Sequence, residues 1–295
     1  MASIHRTVLL KEAIDGLNLT GKSVVVDATL GGGGHSLEIC KRYPGVKIIA
    51  FDQDKSVFEK AKSKFKNLDC NISFVEANFR NLEANLKDSV DGIIFDLGLS
   101  SDQLENSGRG FSFMKDEPLL MTMKENPRPE DLTALDVVNT WSEKSLADII
   151  YGYGEERFSR RIAKGIAEAR KRKKIETSFD LVKIIREATL GRYRNGKLHF
   201  ATKTFQAIRI AVNDELKALA EGLNGGFKFL RKGGRMSVIS FHSLEDRIVK
   251  RFYKAKVAEG GGKLINKKVI RSGVQEVKNN PRARSAKLRI LEKIN

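Results

Sequence analysis

The stretch VVVDATLGGGGHS, Val24 to Ser36, joins an apolar run ending in a carboxylate to four consecutive glycines. Ser23 to Val26 read as a buried strand ending in Asp27, and HSLEICKRY after the glycines suits a helix. Strand, glycine loop and helix in that order open a parallel sheet, whose ligands bind beyond the carboxyl ends of the strands. The glycines themselves admit three readings: a slack linker, a phosphate cradle, or a bare floor for some other ligand.

The same pattern recurs downstream. VKIIAFDQD is a second buried strand ending at Asp52, and KSVFEKAKSKF places Val57, Phe58, Ala61 and Phe65 at helical spacing. ISFVEANF is a third strand and VDGIIFDLGLSS a fourth, ending at Asp96. Strands alternating with helices imply an α/β fold with right-handed crossovers. From about Asn106 to Ala201 helical patterns replace the alternation, with Pro118, Pro127 and Pro129 near the start. TFQAIRIAVNDELKALAEGLNGGFKFL then reads as one long helix and GGRMSVISFHS as a fifth strand. In the tail, KKVIRSG and AKLRILEKI suit a final antiparallel pair. The expected organisation is a discontinuous sheet domain, residues 1–105 and 202–295, interrupted by a helical insertion at 106–201.

Charge is distributed unevenly. Of the net +17, Arg247–Asn295 supplies +12, from fifteen Lys/Arg against three Glu. Arg157–Lys174 holds nine basic residues and one acid. Localised basic surface is the footprint of a polyanion partner, with nucleic acid favoured over an anionic membrane. Cys40 and Cys70 are the only cysteines. Thirty residues apart, they are read as free thiols, neither a disulfide framework nor a zinc site, which points to a reducing, cytoplasmic setting. MASIHRTVLLKEAIDGL has no long apolar core, so no signal peptide is expected, and no run reaches the length of a membrane span. No cluster of His, Cys and carboxylates has metal-ligand spacing, so no protein-bound metal is expected.

Asp52 follows Gly31 by 21 residues, the distance at which an acid can accept both ribose hydroxyls of a nucleoside cofactor. NAD(H) and S-adenosylmethionine compete for such a site. The dinucleotide fingerprint would need a third glycine where Ser36 stands, and Asp27 would repel a pyrophosphate. A carboxylate there is better placed to accept from a methionine ammonium, which favours S-adenosylmethionine. His35 suits ligand contact or a local helix-start bond more than a general base. FHSLEDR, Phe241 to Arg247, offers His242, Glu245 and Asp246 either as chemistry or as a helix start capped by Ser243. NSGRGFSF, Asn106 to Phe113, is either a loop that stacks an extruded base or a crossing loop whose Phe111 and Phe113 fill core.

Nine motifs in order make the sequence specific: HRTVLLKEAIDGL, VDATLGGGGHS, FDQD, DGIIFDLGLSSDQL, RGFSF, YGEERFSRRIA, TFQAIRIAVNDEL, GGRMSVISFHSLEDRIVK and NPRARSAKLRI. By these it resembles the bacterial small-subunit ribosomal RNA (cytosine-N4)-methyltransferase family, of the MraW/RsmH type, over nearly its whole length. The resemblance implies a class I S-adenosylmethionine-dependent methyltransferase fold, a Rossmann-like doubly wound sheet with an inserted all-helical, substrate-recognition domain. It implies N4-methylation of a cytidine in the decoding region of 16S ribosomal RNA, presented as small-subunit rRNA or as the assembled small subunit. Monomer and homodimer both stay open. The implied cofactor contacts are Gly33, Gly34, His35, Asp52, Phe79, Asp96 and Gln103. One departure stands out: the family's usual Leu-Asp-Met-Arg-Met is Leu119–Met123 here, with Leu120 and Thr122 replacing the Asp and Arg.

Cytosine N4 is a weak nucleophile, so transfer needs an acceptor that holds an N4 hydrogen. Asp96 is the first candidate, through its carboxylate or the carbonyl after it, followed by Asp27 and His242. Two other readings compete. One is a methyltransferase acting on DNA amino groups; the other is a non-enzymatic rRNA-binding assembly factor, suggested by Leu120 and Thr122.

Overall fold

A computed structural model describes residues 7–194, 196 and 198–295. The signal-peptide reading of MASIHR, and His5 and Arg6 of the first family motif, fall outside them. Seven strands form one sheet: β1 (Val24–Asp27), β2 (Lys47–Asp52), β3 (Asn71–Glu76), β4 (Val90–Asp96), β5 (Leu230–Ser240), β6 (Gly262–Leu264) and β7 (Lys287–Lys293). Their order is β3-β2-β1-β4-β5-β7-β6. The first five run parallel, and β7 lies antiparallel between β5 and β6. Strand order reverses between β1 and β4, so the binding crevice opens at the carboxyl ends of those two strands.

The helices in chain order are α1 (Leu10–Leu17), α2 (Gly34–Arg42), α3 (Ser56–Phe65), α4 (Leu82–Asn85), α5 (Ser101–Glu105), α6 (Ala134–Thr140), α7 (Glu143–Gly152), α8 (Ser159–Arg172), α9 (Ser178–Ala188), α10 (Gly191–Arg194), α11 (Thr202–Asn213), α12 (Glu215–Phe229), α13 (Ser243–Ala258) and α14 (Val274–Asn279). Strands covered on both faces must be apolar on both, which is why the runs read as continuous rather than alternating. Successive residues still point to opposite layers. Val25, Ile48, Ala50 and Ile94 pack with Ile14 of α1, Ile39 of α2 and Phe58 of α3. Val26, Phe51, Ile93 and Phe95 pack with Leu82 of α4, Leu219 of α12 and Tyr253 of α13. Tyr253 is fully buried and satisfies its hydroxyl by donating to the Met236 carbonyl of β5 at 2.8 Å.

The chain divides into two compact units, one running to Ser100 and resuming at Leu216, the other Ser101–Glu215. The sequence pattern set the insertion at 106–201. Within the second unit α7, α8 and α9 pack in succession, and α11 packs on α6 and α7. Thr133 and Thr177 each close a reciprocal capping box, with Asp136 and Asp180, so two helix starts are fixed locally.

Three sequence expectations need correction. The long helix expected from Thr204 is two, because Asp214 adopts a left-handed backbone at φ 48° and separates α11 from α12. KKVIRSG contributes only the Ile270–Leu288 bridge, and the strand paired with β7 is Gly262–Leu264. Cys40 and Cys70 are not free thiols: they form a disulfide, with Cα atoms 5.4 Å apart. The parallel pairing of β2 with β3 brings the residue preceding β3 beside the last turn of α2, a proximity that sequence separation hides.

Candidate active site

The glycine loop is built on backbone need. Gly33 caps α2 in the left-handed region at φ 73°, where a side chain would be strained. A Cβ on Gly34 would stand 1.8 Å from Thr7 Oγ1, so this residue too must be bare. Two bonds tie the loop to the end of β2. Leu30 N–H donates to the Phe51 carbonyl at 2.9 Å, and Gly31 N–H donates to Asp52 Oδ2 at 2.9 Å. That second bond spans the 21 residues noticed in the sequence.

Asp27, Asp52 and Asp96 end β1, β2 and β4 at one edge of the sheet. Asp27 Oδ2 accepts from the Ser36 hydroxyl at 2.6 Å, and its Oδ1 accepts from Thr29 N–H at 3.2 Å. Ser36, where a dinucleotide loop would have glycine, therefore ties the first turn of α2 to β1. Burial pushes the Asp27 carboxyl up to about 6 against those hydrogen bonds. Burial likewise raises Asp52 to about 6, opposed by the amides of Asp54 and Gly31. Asp96 is raised furthest, to about 8, first by burial and then by the charges of Asp27 and Glu245.

Asp96 keeps a fifth of its side-chain surface open, with 20% exposure, yet its Oδ1 is buried and accepts no hydrogen bond among the described residues. Its Oδ2 lies 3.6 Å from His35 Nδ1, and its amide donates to Thr29 Oγ1 at 2.7 Å. Phe79 begins the turn after β3 and meets Phe95 edge-on at 5.7 Å.

His242 caps α13, one residue earlier than the Ser243 cap expected from sequence. Its Nε2 lies 3.1 Å from Glu245 Oε1 and its Nδ1 accepts from Glu245 N–H at 3.4 Å. Glu245 Oε2 returns the contact, accepting from the amides of Phe241 and His242 at 2.8 and 3.3 Å. One imidazole nitrogen is thus turned to the Glu245 amide and the other to its carboxylate.

The residues of the second unit sit as follows. Gln103 lies on α5, half-buried, its carbonyl accepting from Ser107 Oγ at 2.6 Å. Phe111 is buried, and Phe113 stacks on His199 at 4.5 Å. Thr122 is buried and Leu120 half-buried in a segment pinned by Asn213, which receives Met123 N–H and donates to the Met121 carbonyl, both at 2.8 Å. Sequence reasoning missed Thr29, Ser36 and Glu245 as the groups that position Asp96, Asp27 and His242. The Ser/Thr-Asp spacing and the His-x-x-Glu box were visible signals for the last two.

Residues 2–294 match the MraW methylase family. The chain belongs to that family. It is 44% identical, over 98% of its own length and 99% of the relative's, to the ribosomal RNA small subunit methyltransferase H of Persephonella marina. Among solved structures it is similar to an rRNA methylase from Streptococcus thermophilus, at 13% identity over the full length of both chains and a TM-score of 0.48. The chain is accordingly a class I S-adenosylmethionine-dependent methyltransferase, with an α/β doubly wound sheet.

The residues present fit that cofactor. Among the described residues no lysine or arginine pairs with Asp27, Asp52 or Asp96, so three carboxylates converge with no protein cation to balance them. A ligand bearing both a sulfonium and an ammonium supplies the missing positive charge. The loop before α2 is bare of side chains, as a backbone-lined floor requires.

Proposed function

We propose that this protein methylates the exocyclic N4 of a cytidine in the decoding region of small-subunit ribosomal RNA. The whole-chain similarity to the Persephonella marina enzyme carries the reading, and the uncompensated carboxylates at the switch point supply its chemistry. Bound S-adenosylmethionine supplies an electrophilic methyl group. Gly33, Gly34 and His35 hold its methionine end, Asp52 accepts from the ribose hydroxyls, and Phe79 flanks the adenine, with Gln103 as a further contact. Asp27 anchors the turn into α2 and adds negative charge beneath the methionine end.

Asp96 receives the N4 hydrogen. An amino nitrogen conjugated to a pyrimidine ring must pyramidalise to attack, and an acceptor holding one of its hydrogens lowers that barrier. The Thr29 bond fixes the Asp96 backbone, so the carboxylate and the carbonyl following it are placed before substrate arrives. His242, whose Nδ1 is taken by the Glu245 amide and whose Nε2 lies beside the Glu245 carboxylate, ranks behind it. The helical insertion, 106–201, recognises substrate, with Leu120 and Thr122 shaping that handling. Cytoplasmic location rests on the ribosomal substrate, since the disulfide removes the thiol argument for it.

The protein is to be incubated with methyl-labelled S-adenosylmethionine and undermethylated small ribosomal subunits, and the RNA digested to nucleosides for mass spectrometry. N4-methylcytidine in small-subunit rRNA is the expected product. Label in DNA alone, or no label with intact cofactor binding, overturns the reading in favour of the DNA enzyme or the assembly factor respectively.

A second prediction concerns Phe79. A Cβ on Gly222 of α12 would stand 2.7 Å from Phe79 Cδ2 and 3.1 Å from its carbonyl. Gly222→Ala is expected to displace the ring and weaken S-adenosylmethionine roughly tenfold, equivalent to about 1.4 kcal/mol. Unchanged affinity by calorimetry removes Phe79 from the cofactor site.

A further inference from the structure

Helix α8 divides into two faces. Ile162, Ala163, Ile166 and Ala167 are buried in the second unit. Opposite them Arg157, just before the helix, and Arg160, Arg161, Lys164, Lys171 and Arg172 are exposed. Their spacing of three, four and seven residues aligns them in one stripe, roughly 22 Å long at 1.5 Å per residue. One acid, Glu168, interrupts it, 3.8 Å from Lys164. Among the described residues the five others pair with no carboxylate. Arg170 shows the contrast: half-buried, it donates to the Val138 and Trp141 carbonyls at 2.9 and 2.7 Å and braces the end of α6.

The start of the stripe is held rigidly. Glu156 is fully buried and accepts from Phe158 N–H at 2.8 Å and from the Tyr193 hydroxyl. Those bonds set the Tyr193 ring edge-on to Phe158, with centroids 5.0 Å apart. The Arg157 guanidinium lies over both rings, at 4.8 Å from Phe158 and 5.3 Å from Tyr193, and Arg161 lies 5.9 Å from Phe158. A merely solvated arginine needs no such support. Held over aromatic faces, these two lose less side-chain entropy on binding an anion, and both stay exposed.

We propose that this stripe is the surface on which the protein docks the phosphate backbone of structured RNA. The inference rests on the proposed rRNA substrate and specifies which part of the insertion grips it. Six cations spaced along one straight edge suit a row of phosphates, and guanidinium forks suit phosphate oxygens bidentately. A membrane surface is disfavoured, because a helix that lies in a bilayer interface needs its apolar face free, whereas that of α8 is spent on the protein core. The contacts are to backbone, so they position RNA without reading bases.

The test is anisotropy titration of labelled, transcribed small-subunit rRNA and of an unrelated RNA duplex, at several salt concentrations. Replacing Arg157, Arg160, Arg161 and Lys164 together by Gln is expected to weaken both RNAs at least roughly tenfold. The slope of log affinity against log salt should shrink by roughly three. S-adenosylmethionine affinity and melting temperature serve as folding controls and should not change. Glu168→Lys, which adds charge to the same stripe, should tighten both RNAs. Wild-type affinity and salt slope in the quadruple variant overturn the proposal. So does preferential binding of wild type to phosphatidylglycerol vesicles that the quadruple variant loses. If wild type binds RNA through α8 yet leaves no N4-methylcytidine, the proposed reaction fails while the docking surface stands.

Discussion

Asp96→Asn is expected to lower kcat/KM for methyl transfer by roughly 10²–10⁴-fold, the range for losing a positioned proton acceptor, while leaving the fold intact. The amide keeps the shape of the carboxyl, and the backbone bond to Thr29 does not involve the side chain. What is lost is negative charge and acceptor strength. The wild-type rate should rise with pH as Asp96, held up to about 8, ionises. The positively charged cofactor draws that limb below the value for the free protein. In the Asn variant the limb should disappear. A variant retaining full turnover would transfer the acceptor role to Asp27 or His242.

The same substitution should stabilise the free protein at alkaline pH. Asp27, Asp52 and Asp96 all have folded-state values raised above 3.8. The unfolded chain has released these protons above about pH 4, whereas the fold retains those of Asp27 and Asp52 to about pH 6 and that of Asp96 to about pH 8, so across those windows the folded state binds more protons and stability falls as pH rises. Below about pH 4 both states are protonated and the effect vanishes. Asp96 alone accounts for at most about 6 kcal/mol once fully ionised in the fold. Melting curves of wild type should therefore decline from pH 5 to 9, those of Asp96→Asn less steeply, and added S-adenosylmethionine should restore the wild type at high pH. An Asn variant less stable than wild type at pH 9 would mean that the charge is already balanced inside the protein.

Most of the sheet and the carboxylates of the candidate site were legible because both are written locally. Apolar runs closed by Asp27, Asp52 and Asp96 mark strand ends, and Val57, Phe58, Ala61 and Phe65 are the buried face of α3 as their spacing implies. The Gly31–Asp52 link was legible as a spacing before it was visible as a hydrogen bond. What escaped depends on long-range geometry or on a single dihedral. Nothing near Asp214 breaks the helical pattern, yet one left-handed residue splits the helix. Asp27 was read as an acceptor for a methionine ammonium, and the spacing did not announce that its oxygens also serve Ser36 and Thr29. A carboxylate one turn from a helix start can do either, and only the folded rotamer decides. KKVIRSG looked like a strand because its apolar pair is β-prone, but Asn266 and the Ile270 bridge use that segment to brace β7.

The Cys40–Cys70 bond carries the largest stability effect after the buried carboxylates. It closes a loop of 30 residues, for which loss of unfolded-chain entropy stabilises the fold by about 3–4 kcal/mol. Reduction of wild type, or the double variant Cys40→Ala with Cys70→Ala, should lower the melting temperature by roughly 10 °C. The double variant should then be indifferent to reductant, and wild type with both thiols titratable should melt with it. The consequence reaches the site, because the cross-link ties the last turn of α2 to the start of β3, and the first turn of α2 carries Gly34, His35 and Ser36. Loosening one end of a nine-residue helix frees the other, so reduced protein should bind S-adenosylmethionine a few-fold more weakly while its α8 surface keeps its RNA affinity. Reduced wild type with unchanged melting temperature would show that α2 is held by its packing alone. A lowered melting temperature with unchanged cofactor affinity would show that the tie from Ser36 to Asp27 isolates the glycine loop from its own helix.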